Sequence, residues 1–493
     1  MTSSPIVNFE KFLEFSSLEE KEHQREGVTW CIKREESIEF CRGGIIADEM
    51  GLGKTITMIA TMIVNFKMPN LIVLPVALIE QWKEQIQKTT GHTPLVYHGE
   101  VKRILSSDQL QYVPIVLTTY GTIIADAKQN KTLQKVMWSR LICDEAHHLR
   151  NKRSKIVKSI SNLQRSVTWL ISGTPIQNHI NDLYSLFDVL KISNKIYTDI
   201  EKLRNIINTI VLKRTKQQVG IQMPNLTVER VNGSWSNQSE KQLSMDIHDK
   251  LAFSNLNQKS LPRGMTLAFM SYARMMCVYP SMIVSHIHKL REMGAITDEN
   301  MYGTDSHSKI NDVVNTIIQR KNNGNRKIVF TNFNIEATYL AEKLSSEGME
   351  VALLNGRVTT SKAKRQAILK RPVDVLILQI KTGNEGLNLQ MYNEVYFVTP
   401  QWNPKIEEQA IARCHRMGQT KPVYVFRFVM DSFDEGRTTS NIEMYTETIQ
   451  STKNEIESKT MNGIAENNYA TRETATAAAT ETAINASPIA VSV

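Results

Sequence analysis

The sequence predicts an α/β protein with two parallel-sheet lobes, a helical insertion between the lobes and a disordered C-terminal tail. Apolar strand segments alternate with helical patterns from residue 43 to 190, and a second alternation runs from residue 327 to 398. Residues 190–305 carry amphipathic helical patterns without strong strand signals, and Ala, Thr, Glu and Asn dominate beyond residue 459. Alternation of this kind favours parallel sheets covered by helices, whereas the final segment has too few large apolar residues for a core.

These patterns divide the chain into five predicted segments. At 493 residues it is long enough for two or three domains, each with its own core. The segments are an N-terminal extension (1–17), a first lobe (18–225), a helical insertion with a linker (226–308), a second lobe (309–435) and a C-terminal helix with a low-complexity tail (436–493).

Composition limits the classes of function. The 59 basic and 50 acidic residues give a net charge of +9, which fits a polyanionic partner without specifying one. The five cysteines show no Cys-x-x-Cys spacing, so they indicate free thiols and argue against a zinc site or a disulfide framework. The longest apolar run, residues 71–79, is too short to cross a bilayer, and the N-terminus lacks a signal-peptide pattern. We therefore expect no membrane association.

Residues 45–55 have the layout of a phosphate-binding loop. An apolar strand end leads into Gly51 and Gly53, which let backbone N–H groups turn toward a phosphate, and a helix begins near Lys54. Lys54 can reach the β- and γ-phosphates of a nucleotide, and the Thr55 hydroxyl can bind Mg²⁺. The usual pattern opens with glycine where this chain has Asp48. An ordinary strand–turn–helix would use the same glycines, so the nucleotide interpretation depends on the motifs that follow.

A second motif places two carboxylates directly after a buried strand. Residues 140–143 are the strand, and Asp144 and Glu145 follow it. Asp144 would hold Mg²⁺ through water, while Glu145 would orient and deprotonate the attacking water, which is the division of roles that phosphoryl transfer needs. His147 and His148 have no third ligand at matching spacing, so a histidine metal site is disfavoured.

Further polar groups lie near predicted strand ends, where ligands gather in parallel sheets. Residues 169–171 form a strand that leads into the polar turn 172–178. Upstream of the phosphate loop, Gln24 has an amide that could hydrogen-bond an adenine edge. The Lys-Arg clusters at 150–155 and 213–216 are either phosphate contacts or solvated surface, and the sequence leaves both interpretations open.

Three of these motifs, in this order, resemble motifs one to three of superfamily-two motors. More narrowly, residues 48–55, 144–147 and 173–178 resemble the signatures of the Swi/Snf-type ATPases, in which Asp48 is the expected residue. The resemblance covers roughly residues 18–435 and implies two RecA-like lobes that use ATP and Mg²⁺. It implies that the nucleotide is bound by Gln24, Asp48, Glu49, Met50, Gly51, Leu52, Gly53, Lys54, Thr55, Asp144 and Gly383.

The second lobe carries the other half of the resemblance. Gln409, Arg413 and Arg416 recur at helical spacing, which predicts that they share one helix face. The matching family motif supplies arginine fingers to the nucleotide, which implies a catalytic role for Arg413 and Arg416 beside Lys54 and Glu145. Residues 382–389 match the family's motif five imperfectly, because Asn384 stands where the family has a second glycine.

The resemblance implies an ATP-driven motor on double-stranded DNA that remodels or displaces DNA-bound proteins, nucleosomes among them, in transcription or chromatin regulation. Its expected place is the nucleus, or the host nucleus for a viral member, because small motors of this kind also occur in large DNA viruses such as baculoviruses. No obligate oligomer is predicted. Two alternatives stay open. One is an RNA helicase of the same superfamily. The other is a DNA-binding transcriptional regulator with weak or no ATP turnover, which the departure from motif five at Asn384 leaves open.

Overall fold

The computed structural model describes residues 5–176, 179–251, 263–296, 303–354, 367–369, 371–380, 387–433 and 441–455. The chain divides into two compact units at residues 222 and 223. Each unit is built around a parallel sheet, as predicted. The predicted tail beyond residue 455 and the motif at 382–386 lie outside the described residues.

The first unit contains a seven-stranded parallel sheet within the described residues, in the order β3-β4-β2-β5-β6-β1-β7. Its strands are β1 (Gly43–Ile46), β2 (Asn70–Leu74), β3 (Leu95–Val96), β4 (Ile115–Thr119), β5 (Met137–Asp144), β6 (Gln164–Ile171) and β7 (Val211–Leu212). Ile46 and Asp144 both lie opposite Ile171 in the strand register. Strands β1, β5 and β6 therefore end at the same level, and the loops that follow them meet at one edge.

Helices cover both faces of this sheet. Adjacent strand residues such as Leu71 and Ile72 belong to separate hydrophobic clusters on opposite faces, which explains why these strands are continuous apolar runs. The helices are α1 (Pro5–Ser16), α2 (Glu22–Glu36), α3 (Lys54–Val64), α4 (Ile79–Thr90), α5 (Val101–Ile104), α6 (Ser107–Leu110), α7 (Tyr120–Lys128), α8 (Thr132–Lys135), α9 (Lys155–Ser161), α10 (Ile180–Val189), α11 (Asn194–Tyr197) and α12 (Ile200–Ile210), with short 3₁₀ turns at Val76–Leu78 and Ala146–Leu149.

The second unit contains a six-stranded parallel sheet within the described residues, in the order β10-β11-β9-β12-β13-β8. Its strands are β8 (Leu226–Gly233), β9 (Lys327–Thr331), β10 (Val351–Leu354), β11 (Val375–Gln379), β12 (Glu394–Phe397) and β13 (Val423–Met430). The helices are α13 (Gln238–His248), α14 (Arg263–Val278), α15 (Ile287–Glu292), α16 (Ser308–Gln319), α17 (Asn334–Ser346), α18 (Pro404–Cys414) and α19 (residues 442–455), with a 3₁₀ helix at Pro280–His286.

Strand β8 departs from the sequence analysis, which found no strong strand signal between residues 190 and 305. It pairs with β13 along its whole length. Most of its side chains are exposed, so it lacks the apolar run of an interior strand. Helices α13 and α14 lie where amphipathic helices were predicted, and they pack in one hydrophobic cluster with Met430 of β13. Nowhere in the described part of the chain is a helix both long and apolar enough to cross a membrane.

Candidate nucleotide site

The loop after β1 turns through two glycines with left-handed backbone. Gly51 has φ of 94° and Gly53 has φ of 81°, a region that side chains rarely adopt. A Cβ atom at Gly53 would also collide with Nε2 of Gln24, which lies on α2. Helix α3 begins at Lys54 immediately after this turn. The loop therefore leads directly into the N-terminus of a helix, which is an arrangement that binds anions.

Lys54 lies across this loop. Its Nζ donates to the carbonyl oxygens of Asp48 at 2.7 Å and Glu49 at 3.3 Å. The turn after β6 borders the same place, because a Cβ on Gly173 would lie 3.5 Å from Lys54 Nζ and 3.3 Å from Met50 Cγ. Thr55 follows Lys54 in the first turn of α3. The structure thus brings Lys54, Thr55 and the turn at Gly173 together, while positions 177 and 178 of that turn fall among the residues it does not describe.

Asp48 and Glu49 are bound to a distant segment of the chain. The buried Asp48 carboxylate forms a two-point ion pair with Arg214, whose Nε donates to Oδ1 at 3.0 Å. Glu49 N–H donates to Arg214 O at 2.8 Å, and Glu49 Oε2 accepts from Lys216 N–H at 2.8 Å. The carboxylates of Asp48 and Glu49 therefore anchor the loop to the segment at residues 214–216.

Helix α2 closes another side of the loop. His23 Nε2 lies 3.1 Å from the carbonyl oxygen of the buried Leu52. Burial lowers the pKa of His23. The neighbouring Gln24 is also buried, and its Nε2 lies beside Gly53 of the loop.

Asp144 sits at the end of β5 with both carboxylate oxygens held. The indole Nε1 of Trp82 donates to Oδ2 at 2.6 Å, and Glu145 N–H donates to Oδ1 at 2.9 Å. Burial and the charge of Glu145 raise the pKa of Asp144 to about 6, although Trp82 and Lys54 oppose that change. Two neighbouring carboxylates that repel one another are a favourable place for a cation.

Glu145 has a backbone conformation that is unusual for its residue type. Its φ of 49° and ψ of 50° lie in the left-handed region, which costs a non-glycine residue about 1–3 kcal/mol. Oε2 of Glu145 lies 3.2 Å from Nδ1 of His147, and the His147 ring stacks on that of His148 with 4.7 Å between centroids. Strain of this kind is common at active sites, so this conformation supports Glu145 as a catalytic candidate.

The residues present fit Mg²⁺ bound together with a phosphate. No group of three or more His, Cys, Asp or Glu side chains that could hold a metal is found in the described ranges. Thr55 and Asp144 supply one hydroxyl and one carboxylate, and Mg²⁺ commonly takes few protein ligands with the rest from phosphate and water.

In the second unit, the structure separates Arg416 from the helix that carries Arg413. Helix α18 ends at Cys414, so the prediction that Gln409, Arg413 and Arg416 share one helix face is wrong for Arg416. The end is fixed because Gln419 Nε2 donates to Cys414 O at 3.1 Å and Gly418 turns the chain with φ of 95°. Gly383 lies outside the described residues.

Sequence reasoning missed three residues around the site, namely Trp82, Tyr120 and Arg214. Trp82 and Tyr120 follow predicted strands closely, and a buried indole or phenol needs a hydrogen-bond partner. Their positions in the sequence could therefore have indicated a role near the strand ends. Arg214 belongs to the predicted Lys-Arg cluster at 213–216, but it is buried and not solvated surface, and its pairing with Asp48, 166 residues away in the chain, was not predicted.

The two parallel sheets, the phosphate loop and the acidic strand end define a nucleotide-binding protein of the helicase type. Residues 23–282 match the family model of the SNF2-related domain, and residues 308–418 match that of the helicase conserved C-terminal domain. The chain belongs to the SNF2-related helicase family, whose members are ATP-dependent motors.

Relatives and a solved structure agree with this assignment. An ATP-dependent helicase of Mycoplasma genitalium is 27% identical over 468 residues, which cover 90% of this chain and 42% of the relative. The "Probable global transactivator" of Orgyia pseudotsugata multicapsid polyhedrosis virus is 28% identical, with 83% and 86% covered. Mouse "Chromodomain-helicase-DNA-binding protein 1-like" is 28% identical, with 83% and 47% covered.

The chain thus spans less than half of two of these relatives and most of the viral one, which confirms the expected resemblance to small viral members. The Pyrococcus furiosus Hef helicase domain is 16% identical and superposes with a TM-score of 0.55, covering 87% of this chain and 98% of that domain. This similarity supports the fold.

Proposed function

We propose that the chain is an ATP-driven motor on double-stranded DNA that remodels or displaces DNA-bound proteins, nucleosomes among them. The observation that carries this proposal is that Lys54 and the pair Asp144–Glu145 follow strands that end at one level of one sheet, in a chain of the SNF2-related family. The names of the relatives add "DNA-binding" for the mouse protein and "transactivator" for the viral one. They support action in transcription or chromatin regulation, in the nucleus or a host nucleus.

The first unit supplies most of the groups that phosphoryl transfer requires. Lys54 and the loop N–H groups hold the phosphates, and Gln24 reads the adenine edge. Thr55 and Asp144 hold Mg²⁺, which when bound neutralises charge on the phosphate oxygens. Glu145 orients the attacking water and takes its proton.

The second unit supplies Arg413 and Arg416 to the transition state. Phosphoryl transfer spreads negative charge over the transferred group, and a guanidinium placed there accelerates hydrolysis by about 10³–10⁵. Turnover then depends on both units, so it can respond to DNA that is bound by both. The DNA contacts are to phosphates, independent of sequence and weakened by salt.

The test compares ATP hydrolysis in the presence of duplex DNA, single-stranded DNA and RNA. We expect strong stimulation by duplex DNA alone. Stimulation by RNA would favour the RNA-helicase alternative. DNA binding without turnover would favour the regulator alternative, which Asn384 leaves open.

Glu145→Gln identifies the general base in the same assay. The variant should lose turnover by about 10²–10⁴ while it retains ATP binding, because the amide cannot accept the proton. Lys54→Ala should weaken ATP binding itself. Glu100→Gln, an exposed carboxyl in the same unit, is the matched control and should behave as the parent. Normal turnover of Glu145→Gln would remove Glu145 from this role.

A further inference from the structure

We propose that Trp82 and Tyr120 are positioning residues that hold Asp144 in the orientation in which it binds a divalent cation. Neither residue touches the nucleotide in this assignment; both act through Asp144. The inference rests on the proposed nucleotide site and names the side chains that make its metal ligand rigid.

Trp82 fixes the carboxylate directly. It lies on α4, shortly after β2, and its side chain is 1% exposed. The 2.6 Å bond from its Nε1 to Asp144 Oδ2 is shorter than an ordinary N–H···O bond of about 2.9 Å, as expected for a charged acceptor. Because Glu145 N–H holds the other oxygen, rotation of the carboxylate would break both bonds. Each oxygen keeps a lone pair for a cation or its water.

Tyr120 fixes the backbone of the same residue. It is the first residue of α7, directly after β4, and its hydroxyl donates to Asp144 O at 2.6 Å. Its ring also lies 5.2 Å from that of His148, which stacks on His147, the neighbour of Glu145 Oε2. One phenol therefore supports Asp144 by a hydrogen bond and Glu145 through two stacked rings.

The positions of these donors explain why both are needed. Strands β4, β2 and β5 are neighbours in the sheet, and Trp82 and Tyr120 lie on the helices that follow β2 and β4, on one side of Asp144. Asp144 is the last residue of β5, so its side chain lies at the edge of the sheet. Partners of this kind, which orient a metal ligand, commonly change metal affinity by about 10–100-fold when they are removed.

The decisive variant is Trp82→Phe, with Trp138→Phe as its matched control. Trp138 is a buried tryptophan on β5 whose Nε1 donates to Leu133 O at 2.9 Å, away from Asp144. Both variants lose one buried indole N–H, so their thermal stabilities should fall together. The measurement is binding of a fluorescent ADP analogue by the full chain at increasing Mg²⁺ concentration, which needs no turnover.

We expect Trp82→Phe to raise the Mg²⁺ concentration at half-saturation about tenfold, with nucleotide affinity in EDTA unchanged, and Trp138→Phe to match the parent. Tyr120→Phe keeps the ring and should raise the same concentration about fivefold, the equivalent of one hydrogen bond. It decides the question even if Trp82→Phe does not fold.

Two outcomes overturn the inference, and they are distinguishable. If the parent shows Mg²⁺-dependent binding and the Trp82 and Tyr120 variants match it, the positioning role is wrong and the nucleotide site stands. If the parent shows no Mg²⁺-dependent binding, the proposed function fails and the positioning role fails with it.

Discussion

The loop at Lys54 in the first unit and the segment at Arg416 in the second are held in different ways. Lys54 donates to two loop carbonyls, and the loop is fastened by a buried ion pair between Asp48 and Arg214. Arg416 lies beyond the end of α18, in a turn where its own carbonyl accepts a 2.9 Å bond from Gln419 N–H. The first region fixes its charged groups with side-chain contacts, whereas the second region fixes a backbone turn that carries a half-buried guanidinium.

This difference indicates which charged groups are already held in place before the reaction. Groups that bind the ground-state phosphates gain from rigid placement, because preorganised dipoles do not need to reorganise during the reaction. A guanidinium that acts only on transition-state charge contributes to the rate without contributing to binding. We therefore expect changes in the first region to alter nucleotide binding or stability, and changes at Arg416 to alter turnover alone.

The largest expected effect is that of Arg416→Ala on turnover. DNA-stimulated ATP hydrolysis should fall by about 10³ or more, while nucleotide affinity stays within twofold of the parent, because the charge acts in the transition state. Steady-state hydrolysis and nucleotide titration measure the two quantities. Arg371→Ala is the control, since this exposed guanidinium in the same unit pairs with Glu350.

Arg413→Ala sharpens the comparison between the two arginines. Arg413 lies in the last turn of α18 and Arg416 beyond it, so the two side chains start from different elements. A loss of turnover for Arg413→Ala with none for Arg416→Ala would assign the role to the helix. Unchanged turnover in both variants would contradict the two-unit mechanism.

Sequence patterns predicted the structural features that depend on residues close together in the chain. The interior strands, the glycine turn before Lys54 and the acidic end of β5 are all encoded by neighbouring residues. The Asp48–Arg214 pair could not be predicted, because hydrophobic periodicity contains no information on partners 166 residues apart. The end of α18 was not predicted either, since helical spacing continues past Cys414, where the amide of Gln419 and the turn at Gly418 end the helix.

Asp48→Asn should cause the second-largest effect, on the stability of the first unit. Arg214 would stay buried, 2% exposed, without a full counter-charge, and the free energy of unfolding should fall by about 3 kcal/mol. Glu447→Gln is the matched control, because its partner Arg230 is half-exposed and such pairs contribute about 0–1 kcal/mol. Urea unfolding followed by tryptophan fluorescence measures both variants. Equal losses of unfolding free energy in the two variants would show that the buried Asp48–Arg214 pair contributes no more to stability than the exposed pair.

The smallest expected effect concerns Glu336, a buried carboxyl at the start of α17. Its Oε2 accepts bonds from the backbone N–H groups of Asn332 and Phe333, at 3.1 and 3.0 Å. Burial raises the pKa of Glu336 to about 7, against 4.5 for the ordinary group. The folded chain therefore binds more protons than the unfolded chain between these two values, so the contribution of Glu336 to stability is lost as pH rises from about 4.5 to 7.

Glu336→Gln should remove this dependence, and its carbonyl can still accept both backbone bonds. Relative to the parent, the variant should gain about 1–3 kcal/mol between pH 5 and pH 8, as measured by urea unfolding at both values. Glu443→Gln is the contrasting variant, because Glu443 is equally buried but lies 2.6 Å from the ammonium group of the buried Lys309. That variant should destabilise the unit at pH 8, since it leaves a buried cation without its partner. A loss of stability at pH 8 in both variants would mean that Glu336 is also charged and paired in the folded chain.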